Sequence, residues 1–160
     1  MLKMTQTVKK KGSITFILWG EHFEEATAAI FVTKLRQAGL CVKLVGLAGQ
    51  RPIGKNGLAL YPDITLGEAL TMAEQASCVV LPCDASTLKH IESDPRILDF
   101  FQKSRGNDAK FVVSTADSIQ NTRLEKLLSY DESPSTYGTT ADLLMFADSL
   151  ATGLSNGYGL

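Results

Sequence analysis

Residues 13–19, SITFILW, lead through the acidic turn Glu21, Glu24 and Glu25 into EEATAAIFVTKLRQAGL over 24–40 and CVKLV over 41–45. The first segment is an unbroken apolar run rich in β-formers, the pattern of a strand covered on both faces. The three glutamates bring negative charge to the place where the positive end of a helix macrodipole would begin. Ala28, Phe31, Val32 and Leu35 then recur at helical spacing, and Gly39 suits the C-terminal turn of that helix. Cys41–Val45 returns to a strand pattern. Strand, helix and strand within this span form a βαβ unit, whose right-handed crossover makes the two strands parallel.

Working outward, the pattern changes between Gly46 and Pro62, where Gly49, Pro52, Gly54 and Gly57 punctuate the chain. Asn56-Gly57 reads as a hairpin turn with Leu58–Tyr61 as the returning strand. Lys55 in GKNG is a hairpin residue, because no helix follows to present N–H groups to a phosphate. Thr65 and Glu68 make a capping box for a helix over Leu66–Gln75. Cys78–Leu81 is a third buried strand, stopped by Pro82, and a polar segment follows. Asp94-Pro95 opens a helix that carries Ile97, Leu98, Phe100 and Phe101 inward and ends near Gly106. Lys110–Val113 is a fourth strand, with Ser114, Thr115, Ala116 and Asp117 at its carboxyl end. Leu124–Leu128 is a short helical piece, and Thr140–Leu154 is a closing amphipathic helix. The sequence therefore predicts one α/β domain over 13–154, a three-layer sandwich around a mostly parallel, flavodoxin-like sheet. A flexible arm over 1–12 and a flexible tail over 155–160 flank it.

Composition narrows the function. A chain of 160 residues, 44% hydrophobic and 21% charged, suits one globular domain. Sixteen basic and seventeen acidic residues leave a net charge of −1, which offers nucleic acid no basic face. The run Lys9-Lys10-Lys11 lies in the polar leader and reads as solvated. No apolar stretch approaches the roughly 20 residues of a membrane span. Cys41, Cys78 and Cys83 are irregularly spaced and odd in number, which predicts no disulfide framework and a reducing, cytoplasmic setting. No cofactor motif and no metal-ligand spacing stands out.

In an open parallel sheet the ligand crevice lies outside the carboxyl ends of the strands. Four segments should meet there: Gly20–Glu25, Gly46–Gly49, Pro82–Ser86 and Ser114–Ser118. Cys83 with His22 and Glu24 would be a thiol beside an imidazole and a carboxylate, which favours thiolate. Asp84 and Asp117 work the other way, since adjacent carboxylates raise a thiol's pKa. Cys41 and Cys78 lie within strands and read as core, Trp19 as core or pocket floor, and His90 as surface.

The same segments resemble the ThiJ/PfpI (DJ/PfpI) family of the class I glutamine-amidotransferase-like superfamily. FEEATAAIFVTKLRQAGLCVKLVGLAG is similar to that family's first helix, second strand and GLAG turn. YPDITLGEA is similar to its PDxxLxEA stretch, VVLP to the strand entering its VLPGG turn, and GTTADLLMFADSLATGL to its closing helix. A central block between the nucleophile turn and the closing helix is missing by this comparison. The departures bear on chemistry. The resemblance places the family's nucleophilic cysteine on Thr115, or on Ser114 with a one-residue slip, and its acidic partner on Thr27. Cys83 and Asp84 replace the two glycines of VLPGG, and no histidine follows His90.

The resemblance thus implies a retained scaffold with an altered site: a non-catalytic domain that binds a small ligand or a partner, and that forms a homodimer. Its pocket would draw on Glu24, Thr27, Cys83, Asp84, Ala85, Thr115 and Ala116. The alternative is a hydrolase, glyoxalase or deglycase-like enzyme with a relocated site using Cys83 or Thr115, with Ser114, His22 and Glu24 as further candidates. No cofactor, nucleic acid or membrane is expected in either case.

Overall fold

Strand β1 (Ile14–Trp19) is buried at all six positions, as its unbroken apolar run requires. It lies at the centre of a parallel sheet, paired on one side with β2 (Cys41–Gly46) and on the other with β4 (Ala76–Leu81). The computed structural model describes residues 13–47, 51–128, 133–138 and 142–156. Among these, β3 (Ile64–Thr65) extends the sheet beyond β2, while β5 (Lys110–Val113) and β6 (Ser135–Thr136) extend it beyond β4. The order is β3-β2-β1-β4-β5-β6, with every pair parallel. Strand order reverses between β1 and β4, so the crevice of a doubly wound sheet falls at their carboxyl ends.

Helices cover both faces. Helix α1 (Glu25–Gln37) packs on α6 (Leu143–Asn156), and α2 (Leu66–Met72) packs on α4 (Pro95–Gly106). The right-handed crossover explains the division, since the chain leaves β1 in one direction and returns across it to β4 in the other. Aromatic side chains mark the two layers. Phe16 meets Phe100 edge-on with ring centroids 5.3 Å apart, and Phe31 meets Phe146 at 6.1 Å. In α6, Leu143, Ala147, Leu150 and Ala151 are buried at helical spacing. Among the described residues no helix is long and apolar enough to cross a membrane.

Several expectations need correcting. The Asn56-Gly57 turn forms, with Gly57 at φ 90° and its N–H donating to Gly54 O at 3.0 Å. The predicted returning strand shrinks to a single antiparallel bridge between Ile53 and Ala59. The helix expected over 66–75 ends at Met72 and tightens into a 3₁₀ turn over Ala73–Gln75. The polar segment after Pro82 is a helix, α3 (Ala85–Ile91), which buries little beyond Leu88. Ser155 and Asn156 belong to α6 rather than to a tail. Cys41 is exposed, because it opens β2 at the amino-terminal end of the sheet. The expected arm over 1–12 and the end of the tail, 157–160, lie outside the described residues.

Candidate functional site at the carboxyl ends of the strands

The turn from β1 into α1 is tied to the turn after β4. The Glu24 N–H donates to Pro82 O at 2.8 Å, which brings Glu24 beside Cys83. Glu24 holds the N-cap position of α1, yet its side chain makes no capping hydrogen bond. Its Oε2 instead accepts from Thr27 Oγ1 at 3.3 Å. Two predicted pocket residues are therefore in direct contact.

Cys83 is buried at the crevice. Burial, reinforced by the carboxylates of Asp84, Glu24 and Glu92, pushes its thiol far up from the ordinary range. The charge of His22 is felt at Asp84 rather than at the sulfur. His22 is exposed, with a left-handed backbone at φ 66° fixed by its N–H on Ile53 O at 3.1 Å. Cys78 lies in the core, where burial raises its thiol to about 12.

Asp84 is committed to structure. Its Oδ1 accepts from Thr87 N–H at 2.8 Å and caps α3. That backbone bond holds its carboxyl below the ordinary range against the opposing pull of desolvation, with help from Lys55 and His22. Ala85 is the first residue of α3 and is half-buried.

After β5 the chain makes a 3₁₀ turn over Ala116–Ile119. Thr115 caps that turn in extended backbone, φ −142° and ψ 169°, and its N–H donates to Ser118 Oγ at 3.1 Å. Its hydroxyl lies 3.3 Å from Ser118 Oγ, and both Thr115 and Ala116 are exposed. A strained strand-to-helix elbow, the device that presents a nucleophile above a parallel sheet, is not the geometry here. Ser114 is half-buried, and its carbonyl accepts from Gly138 N–H at 2.8 Å.

Sequence reading missed Tyr137. Its N–H donates to Val113 O at 3.1 Å, just beyond β6, and its side chain runs back beside Glu24, Ser114 and Cys83. The hydroxyl is buried and makes no aligned hydrogen bond. Burial first, then the negative charge of Glu24, pushes this phenol far up. The only signal for it was a Tyr-Gly pair ahead of the closing helix, in a stretch without periodicity. Trp19 is fully buried against Phe23, with ring centroids 6.3 Å apart, and is core.

Among the described residues no group of three or more His, Cys, Asp or Glu side chains is placed to hold a metal ion. A separate cleft of about 900 Å³ opens at the opposite end of the sheet, lined by Gln102, Asp108, Lys110, Phe111, Leu127 and Pro134.

The sheet order, the two helical layers and the crevice between β1 and β4 define a flavodoxin-like α/β fold. The particular fold is that of the DJ-1/ThiJ/PfpI proteins. A DJ-1 superfamily protein from Salmonella typhimurium is 16% identical and superposes with a TM-score of 0.71, covering 92% of this chain and 92% of that one. Toxoplasma gondii DJ-1 is 11% identical with a TM-score of 0.72, over 93% of this chain and 100% of that one. Drosophila melanogaster DJ-1beta is 15% identical at 0.68, over 89% and 90%. No protein-family profile and no curated protein sequence matches the chain.

Proposed function

We propose that this protein is a divergent DJ-1/ThiJ/PfpI-like domain that binds a small ligand at the carboxyl ends of its strands without cysteine chemistry. The observation that carries the reading is the setting of Cys83, a thiol buried among Asp84, Glu24 and Glu92. A thiol attacks as thiolate, and this environment suppresses the thiolate. Thr115 supports the same reading. A hydroxyl nucleophile needs a base, and the side chain beside it is the Ser118 hydroxyl. Glu24 and Ser114 are half-buried polar groups at the crevice, which suits recognition. The reading also takes the protein to be a cytoplasmic homodimer, to be checked by sedimentation as a species of twice the chain mass.

The test is alkylation by iodoacetamide across pH in a Cys41→Ser background, which removes the exposed thiol. Cys83 should stay unmodified at neutral pH in the native protein and react once the chain is unfolded. Native Cys83 reacting as fast as a free cysteine at neutral pH would favour the relocated-site enzyme instead. So would turnover of methylglyoxal, as a probe carbonyl compound, that Thr115→Ala abolishes.

A further inference from the structure

The turn closed by the Ile53–Ala59 bridge carries Asn56-Gly57 at its tip, an asparagine followed by a backbone nitrogen that no side chain shields. Asn56 is exposed, and a Cβ on Gly57 would meet nothing within 4 Å, so water has access to this peptide bond. Asparagine is among the thermolabile residues, and its reaction at such a bond is ring closure. The Gly57 nitrogen loses its proton and attacks Asn56 Cγ. The new N–C bond displaces Nδ2 as ammonia and leaves a succinimide. Water then opens the ring at either carbonyl, giving aspartate or isoaspartate. One water is consumed and one ammonium released, a carboxylate replaces the amide, and no oxidation state changes. Two native contacts must yield first: Gly57 N–H on Gly54 O at 3.0 Å, and Asn56 Nδ2 on Glu25 Oε1 at 3.1 Å.

The second contact decides what the product does. Glu25 is 4% exposed, and its carboxylate accepts the N–H groups of Asn56 and Leu58 as well as Asn56 Nδ2. Conversion would set an anionic oxygen where that Nδ2 donor now stands, within hydrogen-bond distance of a carboxylate sheltered from solvent. Like charges so placed repel, and the shelter weakens their screening. Hydrogen-bond donors hold Glu25 in its ionised form, while the charge of the neighbouring Lys55 is felt at Asp84. Isoaspartate adds a backbone methylene as well, which carries the Leu58 N–H off its acceptor. The hairpin these bonds fasten covers Trp19: Gly54 lies so close that a Cβ on it would come within 2.8 Å of the ring, and the indole is fully buried.

We propose that Asn56 is a modification site, converted through a succinimide to aspartate and isoaspartate, and that the new carboxylate, set against Glu25, unfastens the hairpin from the head of α1 and uncovers Trp19. The release is covalent and accumulates with the age of the molecule. It is independent of the ligand-binding reading above.

The experiment ages the full chain for weeks in mildly alkaline buffer, with peptide mapping by mass spectrometry and isoaspartate labelling by a protein isoaspartyl methyltransferase. Asn156-Gly157 has the same dipeptide and is the internal reference. Position 56 should gain one mass unit and become a methyl acceptor, and acrylamide quenching of Trp19 should rise severalfold in step with the modified fraction. Asn56→Gln, which keeps the amide and lengthens the side chain, should age without that rise. Asn56→Asp should show the raised quenching when freshly made, and adding Glu25→Gln should restore part of the shielding by removing the like charge. Conversion at Asn156 with Asn56 left intact would overturn the proposal. So would a modified chain whose Trp19 stays as shielded as before, or an Asn56→Asp chain that Glu25→Gln does not rescue.

Discussion

The carboxylate of Glu25 accepts the backbone N–H of Asn56 on both oxygens, at 3.0 and 2.9 Å, and that of Leu58 at 3.0 Å. Adjacent glutamates at the head of α1 thus do different work. Glu24 faces the crevice, while Glu25 fastens the glycine-rich excursion that follows β2. Burial acts to raise the Glu25 pKa, but hydrogen bonds from its own backbone, Leu58 and Asn56 outweigh it and hold the carboxyl below its ordinary range. A carboxyl depressed in the folded state adds stability that is present above its unfolded pKa and is lost as pH falls through the folded one. Glu25→Gln should therefore have a flatter acid limb in thermal melts, converging with the parent at low pH. Hydrogen exchange at the Asn56 and Leu58 amides should accelerate in the variant at neutral pH. Unchanged exchange there would show that the carboxylate does not hold the loop.

Gly54 is packed against that fastening. A Cβ at this position would collide with the Glu25 carboxylate and come within 2.8 Å of the Trp19 ring. Gly54→Ala should cost about 1–3 kcal/mol, the usual range for overpacking a filled site. Urea unfolding followed by the fluorescence of Trp19, the only tryptophan in the chain, will measure it. At Gly57 the open space removes the clash, and φ 90° leaves backbone strain as the cost of the same substitution.

Glu92 offers a second buried carboxylate with a structural task. It is 5% exposed and accepts the N–H groups of Arg123 and Leu124, at 3.1 and 2.9 Å, at the head of α5 (Arg123–Leu128). Glu92→Ala should destabilise by about 1–3 kcal/mol through the stranded donors. A change within experimental error in the urea midpoint would mean that water replaces the carboxylate without loss.

Tyr137→Phe tests whether the buried phenol hydroxyl is structural. That hydroxyl lies beside Ser114 and Glu24 but makes no well-aligned hydrogen bond, so the variant should stay within about 1 kcal/mol of the parent. Phe100→Ala, which empties a fully buried ring site against Phe16, should cost about 3–5 kcal/mol in the same assay. A marked loss of stability in Tyr137→Phe would reveal a structural hydrogen bond at that hydroxyl.

Burial on both faces made the sheet legible: β1, β4 and β5 are apolar runs whose composition alone announces strands. β3 and β6, two residues each, carry too little pattern to be read. Helix α3 stayed hidden because ASTLKHI buries only Leu88 and reads as a loop. The exposure of Cys41 depends on where a strand begins relative to its neighbours, which residue type does not encode. At the crevice, Glu24, Cys83, Asp84 and Ser114 follow from the ends of strands, and Thr27 from the family resemblance. Tyr137 follows from neither, because its place depends on how β6 docks beside β5, across residues that share no periodic pattern.

Among the described residues, the two flanks of the sheet end in β3 and β6, each two residues long. A lateral strand offers its open row of N–H and C=O groups to any extended polypeptide that drifts by, and length is what makes the offer effective. Here the lateral rows are almost too brief to template anything. Self-association by strand addition is thereby discouraged, and a second copy would have to meet this molecule through the outer surfaces of its helices or its loops.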